Sequence, residues 1–152
     1  MPSYYYDTSA VAKYYFSEDK PDSVARFLDD PQNTNYISRL ATVEIKSAFA
    51  RDIRMGEATP AEYDLFEEKF TADVDKRKII VINVLVRHFK SAEFLIEKYG
   101  FKSSLKTLDA VQLSVAIDLK EKVSVDYFVC ADKNLCKIAN KEGFEVINPS
   151  VE

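Results

Sequence analysis

The chain has 152 residues, three glycines, five prolines and a formal net charge of −4. This length suits one domain, residues 1–152, built around a single core, and the scarcity of glycine and proline excludes low-complexity and linker-rich classes. We expect a cytoplasmic protein without a membrane partner, because no apolar run approaches the ~18 residues of a membrane span and the N-terminus lacks the features of a signal peptide.

The N-terminal segment predicts a strand, a turn and a helix. Tyr4–Tyr6 has strong strand propensity, and a helix is predicted over Ala10–Phe16. Asp7 lies between them, at the carboxyl end of the strand, which is the edge where ligands bind in open α/β sheets. The alternative interpretation is a turn aspartate that accepts a hydrogen bond from its own backbone.

The next segment predicts a short helix, a short strand and a long helix. They cover Asp22–Leu28, Tyr36–Ile37 and Arg39–Arg54, with Ser38 as a possible N-cap of the last. Ala41, Ile45, Ala48 and Phe49 form the apolar face of the long helix, and Glu44 borders it, about 60° to one side of Ala41. It is either a functional carboxylate or an ordinary flanking surface residue.

The middle of the chain predicts a capped helix and a buried strand. Thr59, with a proline after it, is a typical helix start, and the helix runs to about Asp75. Phe66 and Phe70 recur at packing intervals on this helix, which indicates core or subunit contacts. The continuous apolar run Ile79–Ile82 predicts a parallel strand covered on both faces.

Two helices follow, and the second carries an aspartate at its start. The first is predicted over Leu85–Tyr99 with Gly100 as its C-cap. The second has Thr107 as a plausible N-cap, which puts Asp109 in its first turn, where the helix dipole favours a negative charge. Its apolar stripe predicts a buried helix and comprises Leu108, Val111, Val115, Ala116 and Leu119. On its own, Asp109 could be a simple helix-start residue.

The C-terminal segment predicts a buried strand, a helix and a last strand. These are Tyr127–Ala131, Lys133–Lys141 and Phe144–Ile147, with Gly143 ending the helix. Asp132 lies where the first strand ends and the helix begins, so it is either an N-cap or a site residue.

The alternation of strands and helices predicts an α/β fold with a mostly parallel sheet and helices on both faces. In this architecture Asp7 and Asp132 lie at the same sheet edge, and Glu44 and Asp109 can reach it from helix starts.

The cysteines and the histidine are weaker candidates. Cys130 and Cys136 lack the spacing of a zinc site and fit reduced thiols of a cytoplasmic protein. His88 has no evident partner in the sequence, so we expect a residue at the surface or the edge of the core.

Four carboxylates at one edge, namely Asp7, Glu44, Asp109 and Asp132, would repel one another unless a cation is present. Mg²⁺ or Mn²⁺ fits an all-oxygen donor set. The ion also brings positive charge to a phosphate, so an acidic chain can still act on nucleic acid. With no convincing side-chain nucleophile, this set predicts phosphodiester hydrolysis by metal-activated water.

The ordered motifs of the chain resemble those of the PIN-domain ribonucleases, especially the VapC-type toxins. The motifs are Tyr6–Ala10, Ile37–Ile45 with Arg51 beyond it, Leu105–Leu113, Cys130–Leu135 and Gly143–Pro149. The resemblance implies a Rossmann-like, three-layer α/β/α fold and Mg²⁺-dependent endonucleolytic cleavage of RNA. It also implies a homodimer and inhibition by a cognate antitoxin.

The same resemblance implies roles for the acids. Asp7 and Asp109 correspond to metal ligands, Glu44 to a residue that helps to hold the metal or its water, and Asp132 to one that completes the cluster. Thr8 and Ser9 are expected to hydrogen-bond around Asp7. All four acids are then catalytic residues.

Two departures from the family pattern stand out. Cys130 replaces the hydroxyl residue usual two positions before the last aspartate and is a weaker hydrogen-bonding group. The segment 57–78 is longer than in compact members.

Other classes fit less well. A haloacid-dehalogenase-like phosphatase needs a second aspartate where Ser9 lies, and the acidic pair of a response-regulator receiver is missing. An inactive PIN-like binding module and a housekeeping RNA-processing nuclease remain as alternatives.

Overall fold

The computed structural model describes residues 1–16 and 24–150. A five-stranded, all-parallel sheet has the order β3-β2-β1-β4-β5. The strands are β1 Ser3–Tyr6, β2 Thr34–Ser38, β3 Ile80–Ile82, β4 Tyr127–Val129 and β5 Glu145–Ile147. The helices are α1 Thr8–Phe16, α2 Ala25–Leu28, α3 Arg39–Arg54, α4 Pro60–Asp75, α5 Val86–Leu95, α6 Thr107–Lys122 and α7 Lys133–Lys141. The predicted α/β/α fold with a parallel sheet is confirmed, whereas residues 22 and 23 of the predicted Asp22–Leu28 helix lie outside the described residues.

The sheet lies between two hydrophobic cores. Successive side chains of β1 point to opposite faces: Tyr4 and Tyr6 belong to the core under α1, α3 and α4, and Tyr5 belongs to the core under α5, α6 and α7. Phe66 and Phe70 of α4 pack in the first of these cores, so the prediction that they are core residues is confirmed.

The strand order reverses between β1 and β4. From β1 the chain adds β2 and then β3 on one side, and it returns through α5 and α6 to add β4 on the other side of β1. The carboxyl ends of strands at such a reversal form a crevice in open α/β sheets. Asp7 follows β1 and Asp132 lies just beyond β4, so both border this crevice.

Helix α6 is buried on nearly every side, as expected for a helix beside the central strands. Residues 110–116 are all buried, but Leu108 is 45% exposed, so its assignment to the buried stripe was wrong. The side chain precedes the point at which the helix enters the core. Thr107 is the first helical residue and Lys106 is the N-cap, so the predicted cap was one residue too late; Asp109 does lie in the first turn.

Three predicted helix starts are confirmed by their caps. The Ser38 hydroxyl accepts from the backbone N–H of Ala41 at the start of α3, and Thr59 forms a capping box with Glu62. Asp132 accepts from two backbone N–H groups of α7.

Two features differ from the predictions. β3 is half-buried rather than covered on both faces, because it lies at the sheet edge with β2 as its neighbour. Gly100 does not cap a helix end: α5 continues into a π-helical turn, Ile96–Gly100, and Gly100 lacks the positive φ of such a cap. Gly143 has φ +95° and ends α7 as predicted. No helix in the described part of the chain is both long and apolar enough to cross a membrane.

Candidate active site

Asp7 is a buried carboxylate at the end of the central strand. Asp7 is 3% exposed, and its backbone N–H donates a hydrogen bond to the carbonyl of Val129 at 2.9 Å. The Ser9 hydroxyl donates to Oδ2 at 2.6 Å. Burial raises the pKa of the Asp7 carboxyl, the Ser9 hydrogen bonds oppose that rise, and the nearby charge of Glu44 adds to it. Asp7 is therefore held in place by Ser9 and lies close to another acid.

Asp109 reports most directly that the acids converge. Burial, and then the like charges of Asp7, Asp132 and Glu44, raise the pKa of Asp109 to about 6. Lys106 opposes this rise only weakly, since it is the last of these influences. Residues that are up to 125 positions apart in the chain thus interact electrostatically at the carboxyl edge of the sheet. Asp7, Asp132 and Glu44 therefore all lie within electrostatic range of Asp109.

Glu44 is fixed by groups from two other elements. The Thr8 hydroxyl at the start of α1 donates to Oε1 of Glu44 at 2.7 Å. The side-chain amide of Gln112 on α6 donates to the same oxygen at 3.1 Å. Both Thr8 and Ser9 bond around Asp7 as expected, Thr8 through its backbone N–H and Ser9 through its hydroxyl and backbone N–H. The Thr8 hydroxyl donates to Glu44 instead. The two hydroxyl residues after β1 therefore each hold a different acid.

Asp132 is bound tightly to the start of α7. Its Oδ1 accepts from the backbone N–H of Asn134 at 2.9 Å and from that of Leu135 at 3.0 Å. The cap orients the carboxylate at the crevice while one of its oxygens serves the helix. Both interpretations of Asp132, cap and site residue, are therefore compatible in one side chain.

Cys130 lies between the two strand-end acids. Its Sγ is 3.8 Å from Oδ2 of Asp7 and accepts from the backbone N–H of Asp132 at 3.3 Å. The hydrogen bond with Cys136 and burial raise the pKa of the Cys130 thiol, and the charge of Asp7 adds to the rise. A neutral thiol at this position is a contact of the acids and not a nucleophile.

His88 is not part of this cluster. Its Nδ1 accepts from the backbone N–H of Leu85 at 2.8 Å, and its Nε2 lies 2.7 Å from Oδ2 of Asp118. The expectation of a structural residue fits these contacts. His88 is 2% exposed and contacts the half-buried Asp118, which excludes the surface alternative and fits the edge of the core. The His88 side chain caps the start of α5 by accepting from the backbone N–H of its N-cap residue, Leu85.

Gln112 was missed by reasoning from the sequence. It lies one turn after Asp109 on the buried face of α6 and contacts both Thr8 and Glu44. The available signal was its position: a glutamine within the apolar run 110–116 is an amide that must find partners inside the protein.

The donor set suits a hard divalent cation. Mg²⁺ is commonly held by one or two carboxylates while it keeps several waters. Two such carboxylates, Asp7 and Asp109, interact here through their like charges, which a cation would relieve. Over residues 1–16 and 24–150, no group of three or more His, Cys, Asp or Glu side chains is arranged closely enough to enclose a metal. The fit is therefore to an ion with few protein ligands.

Comparisons with known proteins identify the family. The PIN domain family model matches residues 4–141. The fold is similar to that of a chain in the crystal structure of VapBC2 from Rickettsia felis bound to a DNA fragment from their promoter, with a TM-score of 0.64 and 16% identity over 96% of this chain and 98% of that chain. A comparison with curated protein sequences finds no significant match. A match over this span, together with the fold, shows that the chain belongs to the PIN-domain family.

Proposed function

We propose that this PIN-domain protein is a Mg²⁺-dependent endoribonuclease and the toxin of a toxin–antitoxin pair, with Mn²⁺ as a second ion that it can use. The observation that carries the proposal is the position of Asp7 and Asp132 after the neighbouring strands β1 and β4, where the strand order reverses, with Asp109 and Glu44 within electrostatic range. Carboxylates gathered at one point raise the free energy of the metal-free protein, and a cation lowers it. The site is thus suited to binding an ion.

The residues of the cluster take different roles in this proposal. Asp7 and Asp109 would hold the ion, since Asp7 is buried, Asp109 is half-buried, and their charges interact at the crevice. A bound Mg²⁺ supplies Lewis-acid charge that activates water and stabilises the charge developing on a phosphodiester. Glu44, whose Oε1 is held by Thr8 and Gln112, would help to hold the ion or its water through its other oxygen. Asp132 completes the negative end of the crevice.

The remaining side chains favour water as the nucleophile. His88 is occupied by Leu85 and Asp118, and the pKa of the Cys130 thiol is raised by Cys136 and by burial. The Ser9 hydroxyl donates a hydrogen bond to Asp7 and therefore supports that carboxylate. Acid and metal chemistry at these residues matches hydrolysis rather than a covalent intermediate.

Support for the substrate and the partner comes from similarity. The motif resemblance to VapC-type ribonucleases supports RNA as the substrate. The fold is similar to that of a chain in the VapBC2 structure, which supports an antitoxin as the partner of this chain. A homodimer in the cytoplasm completes the proposal. Exposed apolar side chains at Val43 on α3 and at Val86 and Phe89 on α5 are suited to contact between two copies.

Cleavage of labelled RNA tests the proposal. The full chain is incubated with single-stranded and structured RNA in Mg²⁺ or Mn²⁺, with and without EDTA, alongside Asp7→Asn and a matched control, Asp64→Asn. Asp64 is an exposed residue of α4. We expect internal cleavage by the wild type and the control, and none by Asp7→Asn or in EDTA. Cleavage that survives both chelator and substitution, or no cleavage of any RNA, would contradict the proposal, and the second result would favour an inactive binding module.

A further inference from the structure

Gln112 is a fully buried polar side chain beside the candidate active site. It has 0% exposure and lies on α6 among apolar neighbours that pack against the sheet. A buried side-chain amide is tolerated when its oxygen and its NH₂ group both find partners. Gln112 finds them on three other elements, β1, the β2–α3 junction and α1.

The groups at its two ends show which end of this amide is oxygen. Ser38 accepts from the Ala41 N–H at the start of α3, so its own proton is free to be donated, and Oε1 of Gln112 lies 3.1 Å away. The Tyr5 hydroxyl lies 3.1 Å from the same oxygen and 3.0 Å from the backbone carbonyl of Gln112, so its one proton is shared between these two acceptors. The Ser38 donor at one end and the Glu44 carboxylate at the other therefore assign Oε1 as the acceptor.

The NH₂ end then faces the acid cluster. It donates to the Thr8 hydroxyl and to Oε1 of Glu44, the latter at 3.1 Å. The Thr8 hydroxyl donates a hydrogen bond to that same Glu44 oxygen at 2.7 Å. The reversed amide would put its oxygen against the Glu44 carboxylate and its NH₂ group against the Ser38 hydroxyl. The hydrogen bonds from Ser38 through Gln112 to Glu44 therefore run in one direction.

We propose that Gln112 is a positioning residue, which turns the Glu44 carboxylate toward Asp7 and Asp109 and holds it there through a direct N–H and through Thr8. Both contacts use Oε1 of Glu44, so neither occupies its second oxygen. Because Ser38 also caps α3, which carries Glu44, the same hydrogen-bond chain ties the backbone and the side chain of this acid to α6. The consequence for metal binding and cleavage rests on the proposed function, whereas the positioning itself does not.

Metal affinity is the first readout. Gln112→Met keeps the length of the side chain and removes the amide; Gln32→Met is the matched control, because Gln32 is exposed and is the other glutamine of the chain. Partners that orient metal ligands typically change affinity by 10- to 100-fold. By calorimetry with Mn²⁺ we expect a loss of roughly 10-fold or more for Gln112→Met and none for Gln32→Met. An affinity for Gln112→Met within about twofold of the wild type would overturn the proposal.

A spectroscopic readout needs no folded Gln112 variant and no metal. The side-chain NH₂ signals of Gln112 are assigned through bonds to the α6 backbone in the metal-free protein, and Glu44→Gln removes the charged acceptor. We expect the Gln112 NH₂ signals to shift in Glu44→Gln while those of Gln32 stay in place. Gln112 signals that do not respond to Glu44→Gln would overturn the positioning role.

The two readouts separate this proposal from the proposed function. A wild-type protein that binds no Mn²⁺ contradicts the nuclease proposal, and the NH₂ signals still decide whether Gln112 holds Glu44. A protein that binds Mn²⁺ and cleaves RNA with Gln112→Met unimpaired leaves the nuclease standing and contradicts the role of Gln112.

Discussion

Replacing Asp109 with asparagine should stabilise the metal-free protein at neutral pH. Burial, and then the like charges of Asp7, Asp132 and Glu44, raise the pKa of Asp109 from its ordinary value of 3.8 to about 6. At about 1.4 kcal/mol per pH unit, this difference corresponds to about 3 kcal/mol. The side chain is only partly buried, so solvent screening leaves about 1–2 kcal/mol. Asparagine lacks the negative charge that the dipole of α6 favours in the first turn, and this offsets about 0.5 kcal/mol of the gain in stability.

The difference in stability between Asp109→Asn and the wild type depends on pH. An acid whose pKa is raised on folding favours the folded state when it is neutral, and this contribution is lost as pH rises from about 3.8 through about 6. At pH 4 the wild type carries a mostly neutral Asp109 in the folded state, so Asp109→Asn should match it. At pH 7.5 the wild type carries the repelled charge, and Asp109→Asn should be more stable by about 1 kcal/mol.

Urea unfolding in EDTA from pH 4 to pH 8 measures this difference, with Asp64→Asn as the control for removal of an exposed charge. Adding Mg²⁺ should reverse the order, because a ligand at 100 times its Kd stabilises by about 2.7 kcal/mol and Asp109→Asn has lost a ligand. A gain that does not depend on pH, or an Asp109→Asn variant less stable than the wild type at pH 7.5 in EDTA, would refute the reasoning.

Three further predictions separate packing, capping and site chemistry. Asp132→Asn should lose RNA cleavage but keep the α7 cap and the stability of the wild type. Asp132→Ala should lose cleavage and also lower the free energy of unfolding in urea by about 1 kcal/mol. Full cleavage by Asp132→Asn would exclude a site role for Asp132. Cys130→Ser should raise the rate of cleavage in a single-turnover assay about fivefold, because a hydroxyl forms a stronger hydrogen bond to Asp7 than a thiol does, worth about 1 kcal/mol. A Cys130→Ser variant that cleaves more slowly with unchanged stability would contradict this prediction. Phe66→Ala should lower the free energy of unfolding in urea by about 3–5 kcal/mol, because Phe66 packs against Phe70 in the core under α1, α3 and α4. A loss below about 1 kcal/mol would contradict this prediction, since it would show that the core tolerates the cavity.

The meeting of the acids was predictable because it follows from topology. Parallel strands end at one edge, so Asp7 and Asp132 share that edge whatever the side-chain packing. Asp109 was predictable from its place in the first turn of a buried helix, and Glu44 from its angle beside the apolar face of α3. These inferences need strand ends and helical periodicity, both of which are local properties of the sequence.

Gln112 was not predictable in the same way, because its role depends on contacts with residues far away in the chain. Its partners Tyr5, Thr8, Ser38 and Glu44 lie 68 to 107 positions away from it. A polar residue inside an apolar helix shows that partners exist, but only the packing of α6 against β1 and α3 shows which they are.

The errors at β3, Leu108 and Gly100 have a similar origin. An apolar run predicts burial, yet the burial of Ile80–Ile82 depends on the strand order, which put β3 at an edge. Leu108 has the spacing of a core residue but precedes the buried part of α6. At Gly100 the helix continues in π geometry, which helix-end statistics do not predict.

Crystals soaked in MnCl₂ and measured for anomalous scattering would test the central claim most directly. We expect one strong peak in the crevice between β1 and β4, about 2.0–2.3 Å from a carboxylate oxygen of Asp7 and from one of Asp109. A structure with no peak there at saturating Mn²⁺, or with the two carboxylates too far apart to share one ion, would contradict it.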